Sequence, residues 1–484
     1  MKRKVFQWIG LCLVLLFSAC TQQNNYVNVL PADATAVASV HLPTLIKKSG
    51  ISDEEMARWT AQVGKLVKDS FPMQNVEVLA ELIASPEQSG INWNKEIFLF
   101  MHPAIHHAGL LASVADCEKL TEMLTSVVSE KDGKPLIEKE GYRLTLIDDR
   151  LALAYSDEAL LLVEIPMEVK TEHVHDLLAG WMKASGVKSF PSTASFKKLS
   201  EAEGDIKLVA SMDMLPQKYA EMALSGMSEG FLLKDVQSLV TICFEKGELL
   251  VRAESFGSGD QVKRTFSEAA SLYEGKTSGK FLAEFPEDVM LWLNTTVDGE
   301  KWCEALLQQP LVEEQLKQAE LPVDFKKCIT ALKGEIALGI SLSSRIPEVG
   351  LFAEVKDDVF FEELASVRAV LGLLGFQCRV DQGVFSLTNY QEGAVGLLKN
   401  AARVKDSEDK LFFLTLDMKS LQTATPFLST SESMAVGLLA AYIDEIQIYS
   451  SEVQSGCLAV KAVDKNTNIL KQCVDLVKKM AADQ

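Results

Sequence analysis

The 484-residue chain is short of the signatures that usually betray an enzyme. It holds no His-Glu-x-x-His, no phosphate-binding loop, no Gly-x-Gly-x-x-Gly and no Cys-x-x-Cys. Zinc proteases, nucleotide hydrolases, dinucleotide enzymes and dithiol oxidoreductases therefore have no sequence foothold. Basic charge is scarce too, with 48 Lys and Arg against 67 Asp and Glu. That balance opposes binding to nucleic acid phosphates and to anionic lipid head groups. Gly and Pro number only 28 and 14, so no large region has the composition of a disordered chain. Hydrophobic residues make up 48%, enough for a full globular core.

What is present begins at the N-terminus. The apolar run Val5–Phe17, broken by Gln7, falls short of the roughly 20 residues that a spanning helix needs. Lys2, Arg3 and Lys4 precede it, and the small residues Ser18 and Ala19 follow. A basic start, a short apolar middle and a small-residue end make a secretory leader over residues 1–19. Phe17-Ser18-Ala19-Cys20 then resembles the lipobox of bacterial lipoproteins, with Phe17 where an aliphatic residue is usual. The resemblance implies lipidation of Cys20, which becomes the mature N-terminus, with residues 20–25 as a tether. Loss of the leader's three cations takes the net charge from -19 to -22. Membrane attachment is thus expected through the lipid, not through charge.

Seven cysteines remain beyond Cys20: Cys117, Cys243, Cys303, Cys328, Cys378, Cys457 and Cys473. An odd, scattered set in a chain of this length reads mostly as free, buried thiols.

The rest of the chain repeats itself. EIFLF and GLLASVAD (Glu96–Asp116) match EIALG and GLFAEVKD (Glu335–Asp357), aligning Gly109 with Gly350 and Asp116 with Asp357. Leu30-Pro31-Ala32-Asp33 and TAVASVHL match Phe285-Pro286-Glu287-Asp288 and VMLWLNTT. KLVASMDM at Lys207 matches KLFFLTLDM at Lys410, and a strand pair and a closing amphipathic helix end each copy. Five matched blocks in one order predict two tandem, duplicated domains, 26–275 and 280–484, joined by the linker 276–279. Paired strands with helices between them predict an α+β fold, mostly antiparallel sheet with helices packed on one face. Asp116 and Asp357 suit the N-caps of helical patterns over Cys117–Val128 and Asp358–Leu371. The strand pair that ends the first copy is Gln237–Phe244 with Glu248–Glu254, turned at Glu245-Lys246-Gly247, and the closing helices are expected over Gln261–Tyr273 and Asn468–Ala481.

The lipobox, Tyr26–Leu30 leading into Pro31-Ala32-Asp33, the strand after it and LPTLIKKSGI (Leu42–Ile51) together resemble the large lipoproteins of unknown function common in Bacteroidales. The resemblance covers the whole chain. It implies an outer-membrane lipoprotein and brings no enzymatic activity. Thr21–Asn25 carries no acidic residue, which favours the periplasmic face over the cell surface.

Candidate chemistry is thin. All six histidines, His41, His102, His106, His107, His173 and His175, precede residue 176. Pairs four or two apart can share a metal, but no third ligand stands at motif spacing. Ser195-x-x-Lys198 with Lys276-Thr277-Ser278-Gly279 echoes penicillin-recognising enzymes. Ser-x-x-Lys also occurs at Ser185 and Ser407, as composition alone would produce. Asp464-x-Asn466-x-Asn468 starts like a calcium loop but has Ile469 where glycine is needed. A helix cap is the better reading. The expectation is a lipid-anchored envelope protein with a non-catalytic binding or structural role and no cofactor or metal. Its partners would be the membrane, through the lipid, and an envelope protein or apolar ligand held between the two halves, with no nucleic acid. The alternative is a periplasmic hydrolase with its site in the first half.

Overall fold

The computed structural model describes residues 25–52, 54–55, 89–105, 108–130, 136–139, 141–147, 151–164, 171–184, 186–216, 232–307, 323–342, 347–390, 395–424 and 429–482. The leader and Cys20 lie outside the described residues. Eighteen strands and twelve α-helices occur among those described, and the strands whose registers are given below all pair antiparallel. The fold is mixed α+β. No helix among the described residues is long and apolar enough to cross a membrane. Contacts group the chain into two compact units, residues 1–43 with 52–200 and residues 44–51 with 201–484.

The first unit holds β1 (Ala36–Val40), β2 (Ile97–Met101), β3 (Gly109–Ser113), β4 (Ile137–Lys139), β5 (Tyr142–Ile147), β6 (Leu151–Tyr155) and β7 (Ala159–Glu164). Their order across the sheet is β1-β2-β3-β7-β6-β5-β4. Every residue of β6 and β7 is buried, which explains why LALAY and ALLLVE show no polar alternation. Leu151, Leu153, Tyr155, Leu160 and Leu162 form one side of a core. Leu120 and Leu124, one turn apart on helix α1 (Cys117–Glu130), close it. Asp116 starts that helix as expected, its Oδ1 accepting from the Glu118 and Lys119 amides at 3.1 Å each. Helix α2 (Thr171–Met182) also meets β6, where Ala152 and Ala154 leave room for it. Gly109 is demanded by contact, since a Cβ there would stand 2.5 Å from the Phe100 ring.

The second unit holds β8 (Ile206–Ser211), β9 (Gln237–Glu245), β10 (Glu248–Phe256), β11 (Leu291–Asp298), β12 (Leu332–Ser341) and β13 (Glu348–Val355). It continues with β14 (Gln377–Asp381), β15 (Val384–Thr388), β16 (Phe412–Asp417), β17 (Ile443–Ser450) and β18 (Ser455–Ala462). The order is β8-β9-β10-β18-β17-β16-β11-β12-β13-β15-β14. The Glu245–Gly247 turn joins β9 to β10, with Gly247 at φ 68°, a conformation that L side chains avoid. Phe285, Trp292, Phe352, Tyr390 and Phe413 build the core. Gly350 floors it: a Cβ there would lie 2.5 Å from the Tyr390 ring.

Two helical expectations differ in detail. The run Asp358–Leu371 is not one helix but α4 (Val359–Glu363) and α5 (Arg368–Leu373) with a 3-10 turn between. Arg368 fills the break, donating to the Phe361 carbonyl at 2.8 Å while its guanidinium lies 3.6 Å from that ring's centre. Asp357 accepts from the Val359 amide at 3.2 Å, one residue ahead of the N-cap position held by Asp358. The last helix, α6 (Ile469–Ala482), follows the expected span closely.

Candidate functional site

The second unit carries a cavity of about 420 Å³ on one face of β9, β10, β18 and β17. Register builds it. Thr241 faces Arg252 across β9 and β10, Arg252 faces Cys457 across β10 and β18, and Cys457 faces Tyr449 across β18 and β17. Residues directly opposite in a sheet share a face, so one row presents a hydroxyl, a guanidinium, a thiol and a phenol. The next row runs Leu239, Glu254 and Ser455. Ala202 and Glu203, just ahead of β8, add a wall, and Ser450 and Ser451 add the far rim.

The electrostatics are uneven. Arg252 is exposed, and its Nη1 donates weakly to Cys243 Sγ at 3.6 Å. Among the described residues no carboxylate pairs with it. Glu203 and Glu254 bring two carboxylates to the same cavity. Burial pushes the Tyr449 phenol up, and its hydrogen bond with Cys457 adds to this while Arg252 pulls the other way. It therefore stays protonated throughout the physiological range. Phe413 stacks on Tyr449 at 6.2 Å and 19°, and Lys410 Nζ stands 5.3 Å from the same ring centre. Thr241, Leu239 and Cys457 are buried beneath. This surface can hold a ligand through charge, hydroxyls and an apolar floor. No histidine follows His175, so Cys457 has no imidazole of the second unit to act as its base.

The residues singled out from sequence lie elsewhere. His102 Nε2 meets Asp33 at 3.2 Å, its Nδ1 accepts the Ala104 amide at 3.0 Å, and its ring packs edge-on against Trp181. His106 and His107 lie outside the described residues. His173 and His175 fall on α2, a helix, so a spacing of two turns them to different faces. Among the described residues no group of three or more His, Cys, Asp or Glu could hold a metal. Ser195 and Lys198 are on the short helix α3 (Ala194–Glu201), and Ser185 is outside the described residues. The Ser407 hydroxyl is buried and donates to the Val404 carbonyl at 2.6 Å. Lys276–Gly279 is a clamped loop: Thr277 Oγ1 donates to the Ser407 carbonyl at 2.6 Å. The Ser278 amide, the Ser278 hydroxyl and the Gly279 amide all donate to buried Glu335. Asp464 accepts from the Asn466 and Thr467 amides, and Asn468 Oδ1 from the Leu470 amide. That stretch is the turn and cap of α6, not a calcium loop. The seven cysteines are free.

Gly226-Met227-Ser228-Glu229-Gly230 has the letters of a nucleophile elbow and lies outside the described residues. The hydrolases with that elbow place their histidine later in the chain, and none follows here. The cavity residues themselves left only a faint trace in sequence. In LLVRAES, Arg252 and Glu254 alternate with small or apolar neighbours, which marks a polar strand face but not a site.

Comparison with known proteins adds a family and no activity. Residues 26–373 match the family described as a domain of unknown function, DUF4836. The curated proteins contain no match to the chain. Crystal forms IV, I and III of TP0453 are similar at 8% identity, with TM-scores of 0.27, 0.27 and 0.20. The chain is covered over 47%, 51% and 77% of its length, and TP0453 over 79%, 86% and 96%. Scores so low carry no weight for fold or function.

Proposed function

The chain belongs to the DUF4836 family, and from its own residues we propose that it is a lipid-anchored, non-catalytic binding protein of the cell envelope. Its ligand site is the cavity over β9, β10, β17 and β18. The observation that carries this reading is Arg252, an exposed guanidinium in a concave, mixed polar and apolar lining. Such clefts with a few placed polar groups are the usual form of small-ligand sites, and 420 Å³ falls in their range.

The tandem duplication, 26–275 and 280–484, belongs to the same proposal. The last hairpins of the two halves meet through β10 and β18, with Val251 opposite Leu458 at the middle of the seam. The cavity sits on that seam, where two copies make a cleft that neither makes alone. Gly109 and Gly350 support the alignment, because an aromatic ring lies against each. Cys20 supplies the anchor, on the strength of the leader and the lipobox, and the periplasmic leaflet of the outer membrane the location, on the strength of the family resemblance and the acid-free Thr21–Asn25.

Native mass spectrometry of the full chain released from its own envelope fraction tests the site. The expected result is a small-molecule adduct on the wild type and none on Ser455→Trp, whose indole would fill the cavity. No adduct on the wild type, or an adduct that survives the substitution, contradicts the proposal. Anchoring is tested apart from this. Cys20→Ser should leave the membrane fraction and take up no labelled fatty acid.

A further inference from the structure

Resting on the cavity as a ligand site, we infer that its ligand is a monocarboxylic acid with an apolar body, held by its carboxylate on Arg252. The row across the strands selects the head group. Lys207, Thr241, Arg252, Cys457 and Tyr449 follow one another in register over β8, β9, β10, β18 and β17. Each carries a hydrogen-bond donor, and none carries a carboxylate or an amide. Thr241 is 6% exposed, and among the described residues its hydroxyl makes no hydrogen bond. It stands directly opposite Arg252, whose guanidinium has no carboxylate partner among the described residues. Lys410 adds a further cation at the Tyr449 ring. An ionised carboxylate accepts and never donates, and it meets a guanidinium in a planar, two-point contact.

The acidic residues limit the ligand's charge. Glu254, on the next row, is already engaged within the protein. Glu203 is exposed on the wall, where water and salt screen it. One negative charge on the ligand is matched by Arg252. A phosphate ester carries about -1.5 to -2, and the excess would face the two glutamates unmatched. An amine would find only donors along the row. Leu239, Ala202 and the Tyr449 ring, braced by Phe413, give the body of the acid an apolar wall. An acid as small as acetate would leave that wall uncovered.

Titration calorimetry on the full mature chain tests this, with phenylacetate, octanoate, their neutral amides, phenethylamine, acetate and inorganic phosphate as probes. At least one of the two apolar acids should bind. Its amide, the amine, acetate and phosphate should each bind at least tenfold more weakly. Arg252→Gln should bind that acid at least tenfold more weakly and no longer prefer it to its amide. Arg252→Lys, which keeps the charge but not the planar fork, should fall between. Glu203→Gln should leave the acid's binding unchanged or strengthen it. Arg252 and Glu203 are both exposed, and thermal melts of the variants confirm that they fold. Failure of both acids to bind, an amide or phosphate as tight as the acid, an Arg252→Gln chain that keeps the preference, or loss of binding in Glu203→Gln would each overturn the inference. An adduct lost in Ser455→Trp beside failed titrations of both acids would remove the carboxylic acid and leave the site. Absence of any adduct would remove the site itself.

Discussion

Strands β6 and β7 of the first unit and strands β10 and β18 of the second are both internal to their sheets, yet they are made of different material. The first pair is buried on both faces and is nearly all hydrocarbon apart from Glu164 and the Tyr155 hydroxyl. The second pair is partly open to solvent, and one of its faces offers Arg252, Glu254, Ser455 and Cys457 to a cavity. A strand covered on both sides has no surface left for chemistry. Function in a sheet protein can stand only where a face is left partly bare and polar. The second unit also places hydrogen-bonded polar groups in its interior, such as Glu335, Asn294, Thr277 and Gln447. Its stability should therefore depend on satisfied hydrogen bonds more than that of the first unit does.

That contrast is sharpest at Glu335. Its carboxylate accepts from Ser278 N at 2.8 Å, Ser278 Oγ at 2.6 Å, Gly279 N at 3.1 Å and Asn294 Nδ2 at 2.9 Å. Glu335→Ala strands several of these donors, at roughly 1–3 kcal/mol each where they stay dry. A total loss of about 3–5 kcal/mol is expected in urea unfolding, with Glu335→Gln losing less because one acceptor remains. A cost below about 1 kcal/mol would mean that the polar interior is not a stabilising element. In the first unit the matching test is Leu153→Ala, expected to cost about 2–5 kcal/mol by lost burial and an unfilled cavity. Leu153→Met should cost less than about 1.5 kcal/mol. Equal losses for the two would contradict a core held by shape-matched hydrocarbon.

The two glycine floors are expected to fall next. Gly109→Ala and Gly350→Ala each push a methyl group to 2.5 Å from a ring, and about 1–3 kcal/mol of overpacking strain should follow at both. A loss at one and none at the other would weaken the matching of the halves. The smallest effect is electrostatic. The Glu363 carboxyl is held below its usual range first by the hydrogen bond from Lys327 and then by the Asp324 amide. A lowered folded value means that its contribution is present at neutral pH. It is lost as pH falls from the unfolded value, about 4.3, through the folded one. Lys327→Met should flatten that acid limb slightly when the urea midpoint is followed against pH. An unchanged limb would show that solvent screens the pair completely.

The sequence made local features of both units legible. The alternation in Gln237–Phe244 and Glu248–Glu254, the Lys246-Gly247 turn and the cap at Asp116 all appear where local physics put them. Strands β6 and β7 were harder to read, because two-sided burial erases the period of two and leaves apolar runs that fit strand or helix equally. The interruption between α4 and α5 depends on Arg368 reaching back to Phe361, a contact that no periodicity announces. The cavity was illegible for a different reason. Arg252 and Cys457 are neighbours only because β10 pairs with β18 across some 200 residues of chain, and register between distant strands is a tertiary fact. The histidines attracted notice as metal-binding types, yet His102 is taken up by Asp33, Trp181 and its own turn.

The central claim, that the polar face of β10 and β18 is a ligand site, is tested most directly by a crystal structure of the full chain isolated from its own envelope without a denaturing step. The result expected is connected non-protein density in contact with the Arg252 guanidinium and the Tyr449 ring. Only water in that cavity, with a co-purified ligand seated at another place on the molecule, would contradict it.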